Sequence, residues 1–151
     1  RTRMMDKRTF FAAGAAAIAG VFGMMAFGGR ATAQNVTLEV LSGSDLASDP
    51  KTLVVDIRRP EEWMATGVIE GALLITYESA DAFLKAVGPK LGDGQRLALI
   101  CRSGNRTSRA SQQIAKLVDF PVVDVQGGML RVLKEGYTPV GPTREMGCQI
   151  C

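Results

Sequence analysis

The chain contains no histidine among its 151 residues. That absence removes Ser-His-Asp triads, Cys-His nucleophile pairs and histidine metal sites together. Cysteine is scarce, with three: Cys101 alone, and Cys148 with Cys151 as a C-x-x-C pair at the C-terminal end. Two thiols are too few for a closed zinc site, and neither a metal nor another cofactor is expected. Acidic residues are missing from one long stretch. Between Gly94 and Val118 there is no Asp or Glu, while Arg96, Arg102, Arg106, Arg109 and Lys116 all fall inside it. There is no internal repeat, and the length allows one ordinary domain with a worthwhile core.

What is present begins with a basic head, Lys7 and Arg8, that leads into a run of Ala, Gly, Phe, Val and Met from Phe10 to Gly29. Arg30 and the small-residue pattern Ala31-Thr32-Ala33 follow. This three-part layout predicts an export signal over residues 1–33, cleaved after Ala33, with an uncleaved membrane anchor as the alternative. The stretch "DKRTFF" resembles the twin-arginine export motif with Lys7 in place of the first arginine, and the run ends without a lipoprotein cysteine. The expected location is therefore the periplasm. Residues 1–33 hold five of the 18 Lys and Arg and one of the 15 acids, so the remainder carries 13 and 14, a net charge of −1. Bulk charge therefore gives no argument for nucleic acid, nor for a membrane surface beyond the signal segment itself.

Past that segment, short apolar runs alternate with helical patterns. "VTLEVL" (36–41) alternates apolar with polar as an edge strand does, and "LVVDI" (53–57), "ALLI" (72–75), "LALIC" (97–101) and "VVDV" (122–125) suit strands buried on both faces. Pro60 to Thr66 opens with proline and two glutamates, which favours a helix start. Ala80, Phe83, Leu84 and Val87 share one helical face, as do Ala110, Ile114, Leu117 and Val118, and then Met129, Leu130 and Leu133. The pattern predicts an α/β fold, a mainly parallel five-stranded sheet with helices on both faces. The domain is expected over 34–140, followed by a loosely held tail over 141–151 that carries the C-x-x-C pair.

Ligands of such sheets collect at the carboxyl ends of the strands. Cys101 falls at one of those ends and opens the loop "CRSGNR". A loop from strand to helix gathers backbone N–H groups into one concavity, and the helix dipole adds partial positive charge. Gly104 supplies the backbone freedom, and Ser103, Asn105 and Thr107 are candidate helix caps. With five cations and no acid in the surrounding stretch, the field at Cys101 is expected to be positive, which favours thiolate, the nucleophilic form, without a histidine base. The plain alternative is a small buried residue that ends a strand.

"CRSGNRTSRA", together with "VVDIRRPEEWMATGVIEGALLI" and "VVDVQGGMLRVLKEGYTPV", resembles the single-domain rhodaneses over Val36 to Val140. Val68 stands where the more usual family segment has histidine after Gly67, and the usual tryptophan near Arg131 and Val132 is missing. The resemblance implies a rhodanese-like fold and a sulfurtransferase in which Cys101 carries a persulfide. A small sulfur-containing anion such as thiosulfate would be the donor, and a thiol, cyanide or a protein sulfur the acceptor. Cys-x4-Arg spacing from Cys101 to Arg106 is similar to the sulfur-carrying loops, whereas related phosphatases and arsenate reductases have Cys-x5-Arg.

In that reading Arg102, Ser103, Gly104, Asn105 and Arg106 form the substrate cradle. Arg58 joins Arg102 and Arg106 in orienting the anion, and Asp56 supports a neighbouring loop or an arginine. Arg106 has a structural reading too, as a partner of loop carbonyls, and Trp63 is expected to pack. Two alternatives stand beside the enzyme: a non-catalytic rhodanese-like module that binds an anion or a protein, and a thiol redox protein that uses Cys148 and Cys151. The pair equally suits an inert disulfide or a sulfur acceptor.

Overall fold

A computed structural model describes residues 35–151; the expected export signal lies outside the described residues. Five strands, β1 (Val36–Glu39), β2 (Thr52–Asp56), β3 (Leu73–Leu74), β4 (Arg96–Ile100) and β5 (Val122–Val125), form one sheet. They pair in the order β1-β5-β4-β2-β3, every pair parallel. Parallel strands require crossovers, and the helices α1 (Gly43–Ser48), α2 (Pro60–Thr66), α3 (Ala80–Val87) and α4 (Asn105–Ala115) supply them, while α5 (Gly128–Lys134) follows β5.

Alternation along the strands divides the core. Leu97, Leu99 and Cys101 point to one face, where they pack with Phe83 and Val87 of α3 and Ala110 and Ile114 of α4. Ala98 and Ile100 point to the other, with Leu46 of α1 and Met129 and Val132 of α5. Both faces of β4 are therefore covered, which is why it reads as an unbroken apolar run. From β2 the chain runs outward to β3, and from β4 it runs the opposite way to β5. The crevice between the carboxyl ends of β2 and β4 is thus a topological switch point, and Cys101 emerges there.

The structure agrees with the expected ranges of α2, α3 and β5 and departs elsewhere. The six-residue α1 is too short to show periodicity, although Ser42 and Asp45 form a capping box that marks its start. Leu117 lies beyond the end of α4 and is 55% exposed, because the chain turns there towards Pro121. On α5 the buried positions are Met129 and Val132, and Leu130 is exposed. The tail is not loose. Val140 bridges Val68, the Leu74 N–H donates to the Met146 carbonyl at 2.7 Å, and a Cys148–Cys151 disulfide closes the end. Cys148 is buried against Trp63, Val68 and Leu74, so the tail covers the β3 side of the sheet.

Trp63 anchors that small cluster. Trp63→Ala is expected to cost about 3–5 kcal/mol, read in urea as a lower midpoint at unchanged slope, with earlier proteolysis of the tail.

Candidate active site

The loop that follows β4 owes its shape to the neighbouring unit. The Met129 N–H donates to the Cys101 carbonyl at 2.8 Å, and the Leu130 N–H to the Arg102 carbonyl at 3.0 Å. With these two carbonyls held towards α5, the Gly104 N–H donates to Cys101 Sγ at 3.1 Å. The fit is close because Gly128 has no side chain. A Cβ there would strike the Cys101 carbonyl oxygen and lie 2.7 Å from the Arg102 carbonyl, and its φ is +58°.

Cys101 itself is 1% exposed. Its sulfur also lies 3.7 Å from the Thr107 hydroxyl, which donates to the Gly104 carbonyl at 3.0 Å. Thr107 thus closes the loop from the side opposite α5. None of Ser103, Asn105 or Thr107 acts as a side-chain cap. Gly104 occupies that position with φ +97°, because its N–H is turned to the sulfur.

The arginines separate by environment. Arg58, expected beside the substrate, is 1% exposed and turns its side chain to partners inside the protein. Its Nε and Nη2 bond Asp56, its Nη1 bonds the Glu62 carbonyl and the Thr66 hydroxyl, and its Nη2 also bonds the Gly67 carbonyl. All five of its N–H donors are engaged. Asp56 is the other member of this buried pair, 2.8 Å away. Arg106 is held end-on by Glu62, with bonds of 2.7 and 2.6 Å. That carboxylate raises the Arg106 guanidinium above its ordinary value, with Cys101 and Asp56 adding to the effect, while the hydrogen bonds from Arg106 hold Glu62 below its ordinary 4.5. Arg102 is exposed and makes no ion pair among the described residues.

The cations of the acid-free stretch do not all gather at the loop. Arg96 stands at the opposite end of β4, paired with Glu39 at 2.8 Å. Arg102 and Arg106 line an open basin of about 550 Å³ with Arg59, Glu61 and Glu62. Three guanidinium groups there meet two carboxylates, so the local excess is a single positive charge. Glu61 and Glu62 come from α2, far outside the acid-free stretch in sequence. Arg59 was missed by sequence reasoning, although its place beside Arg58 in "RRPEE" was the available signal. Cys148 and Cys151 form their own bridge, apart from the loop.

The rhodanese-like domain family matches residues 42–138. A tRNA uridine(34) hydroxylase from Synechococcus is 35% identical over 101 residues, which cover 61% of this chain and 32% of that protein. One from Brucella anthropi is 32% identical over 93 residues, 60% of this chain and 30% of the relative. The chain thus spans about a third of the length of these curated relatives. A crystal structure of a rhodanese-related protein from Thermoplasma volcanium aligns with a TM-score of 0.52 at 28% identity, covering 68% of this chain and 97% of that one. A protein of unknown function from Rhodopseudomonas palustris, titled a possible tyrosine phosphatase, aligns at 0.50 with 19% identity over 68% and 85% of the two chains. This last likeness is one of fold alone.

Two outcomes test the geometry. Gly128→Ala meets both a positive φ and the loop backbone, whereas Gly136→Ala, at φ +95°, meets open space. The second should lose only the cost of its backbone angle, about 1–3 kcal/mol, and the first distinctly more in urea unfolding. Glu62 has a lowered folded pKa, so its pairing stabilises the fold above the unfolded value near 4.5 and is lost as pH falls through the folded value. The stability gap between the wild type and Glu62→Gln should be constant from pH 7 to about 5 and close under more acid conditions.

Proposed function

From a chain that belongs to the rhodanese-like domain family, we propose a sulfurtransferase in which Cys101 carries sulfane sulfur from an anionic donor of the thiosulfate type to a thiol or cyanide acceptor. The observation that carries this reading is the Gly104 N–H on Cys101 Sγ at 3.1 Å, inside a Cys-x4-Arg loop. The Cys101 thiolate attacks the outer sulfur of thiosulfate. A Cys–S bond forms, the donor S–S bond breaks, and its electron pair leaves with sulfite. The acceptor thiolate then attacks the terminal sulfur of the persulfide and returns Cys101 to its thiolate, which gives ping-pong kinetics.

In this reading Arg102 and Arg106 orient the donor and stabilise the departing sulfite from the basin they line, with Arg59 beside them. Glu62 fixes Arg106 in place and leaves its remaining N–H donors for the anion. Ser103, Gly104 and Asn105 contribute main-chain N–H groups. Export to the periplasm belongs to the same proposal, and the Cys148–Cys151 disulfide supports it, since such bridges persist in oxidising compartments.

A second reading, hydroxylation of a tRNA base, is favoured by the names of the curated relatives. The near-neutral charge beyond residue 33 counts against a nucleic-acid substrate.

Intact mass after thiosulfate treatment tests the proposal. The wild type should gain one sulfur atom, Cys101→Ala none, and Cys148→Ser/Cys151→Ser should still gain it. Absence of the adduct from all three proteins would overturn the transferase in favour of an anion- or protein-binding module. Sulfur loading that depends on Cys148 and Cys151 would point to a thiol redox protein instead.

A further inference from the structure

A second cavity, of about 380 Å³, lies on the α4 side of the loop, outside the arginine basin. Its polar wall is made by Ser103, Ser108, Gln112, Gln126 and Asp124, and Gly104, which also lines it, donates its N–H to Cys101 Sγ at 3.1 Å. Asp124 is the only ionisable residue among those lining it. The β5 position puts this carboxyl on the same face as Cys101, since Asp124 pairs in register with Leu99 of β4. The side chain is 6% exposed, and Oδ1 has no hydrogen-bond partner.

A buried carboxylate oxygen without a donor is costly, and native structures rarely leave one so. Burial raises the Asp124 carboxyl above its ordinary 3.8, offset only in part by the neighbouring Thr107 hydroxyl. The missing element is a hydrogen-bond donor of positive charge. Ser103, Ser108, Gln112 and Gln126 are neutral groups able to accept further N–H bonds. Leu38, 62% exposed on the wall contributed by β1, offers an apolar surface to a short alkyl stem.

We propose that this cavity recognises a protonated primary amine through Asp124 and, resting on the sulfur-transfer reading, that the thiol which unloads Cys101 carries such an amine. The acceptor is then a small aminothiol. Its thiolate attacks the terminal persulfide sulfur, forming a new S–S bond as the bond to Cys101 Sγ breaks. The aminothiol leaves as a hydropersulfide anion, and Cys101 is a thiolate again. No oxidant or reductant enters.

Two measurements decide it. In the first, amide shifts of the Cys101→Ala protein are followed by NMR as propylammonium chloride or 1-propanol is added. Shifts at Ser103, Ser108 and Gln112 are expected with the ammonium alone and should vanish when Asp124→Asn is added. Equal shifts with both probes, none with either, or shifts that survive Asp124→Asn overturn the pocket. This arm needs no sulfur chemistry, so it stands apart from the transferase reading.

In the second, persulfide-loaded protein is discharged by cysteamine or by 2-mercaptoethanol, and the ratio of the two rates is taken within each protein. A general loss of activity then cancels. The ratio should fall about tenfold from wild type to Asp124→Asn, the scale of one charged hydrogen bond. An unchanged ratio overturns the aminothiol acceptor, whereas failure of the wild type to load sulfur at all counts against the transferase and leaves the first arm to judge the pocket.

Discussion

Two main-chain hydrogen bonds between consecutive strand–helix units, from the Met129 and Leu130 N–H groups to the Cys101 and Arg102 carbonyls, govern the whole site. Buried carbonyls must find donors. Once these two find theirs on α5, the Gly104 N–H is left facing the sulfur. The arrangement requires β5 to lie directly beside β4, as the pairing of Leu97, Ala98 and Leu99 with Val122, Val123 and Asp124 ensures. It also requires a residue without Cβ at the start of α5. Sheet order, a glycine and the orientation of a nucleophile are thus links in one chain of cause.

Arginine illustrates how context decides the role of a residue type. Arg58 is immobilised between β2 and α2, with every donor engaged inside the protein, and its burial with Asp56 makes it a brace. Breaking such a pair by removing one partner leaves an uncompensated buried charge, a far larger loss than the pair's net worth. Arg106 is half-exposed and fixed by a single carboxylate, which orients its planar group without exhausting it. Arg102 is bound by neither constraint. Only the latter two have donors left for an anion from solution.

The fold was legible where a physical period repeats within a few residues. "LALIC" and "VVDV" read as strands because both sheet faces are covered, and "ADAFLKAV" read as α3 because one of its faces meets the core. Cys101 at a strand end, followed by glycine and cations, was legible for the same local reason. Glu62 on Arg106 was not, because 44 positions separate them and only the sheet order brings α2 to the loop. The tail reads as loose because prolines and glycines hide the contact of Cys148 with Trp63. Gly127 and Gly128 were visible as a pair, but their purpose depends on backbone from a different unit.

Absence of histidine turns attention to how charge is divided around the sulfur. The guanidinium groups of the basin are opposed by Glu61 and Glu62, which leaves it a single excess positive charge. Closer in stand main-chain dipoles, with the Gly104 N–H on the sulfur. Helix α4 begins with no side-chain cap and no acid in its first turn, although its first N–H groups have no acceptors within the helix. A helix start left in that state has donors for an anion that the chain does not itself supply. Fixed dipoles need no reorganisation when charge develops on sulfur, and they do not titrate near neutral pH. In the sulfur-transfer reading, the cradle therefore does by geometry what a histidine base would do by proton exchange.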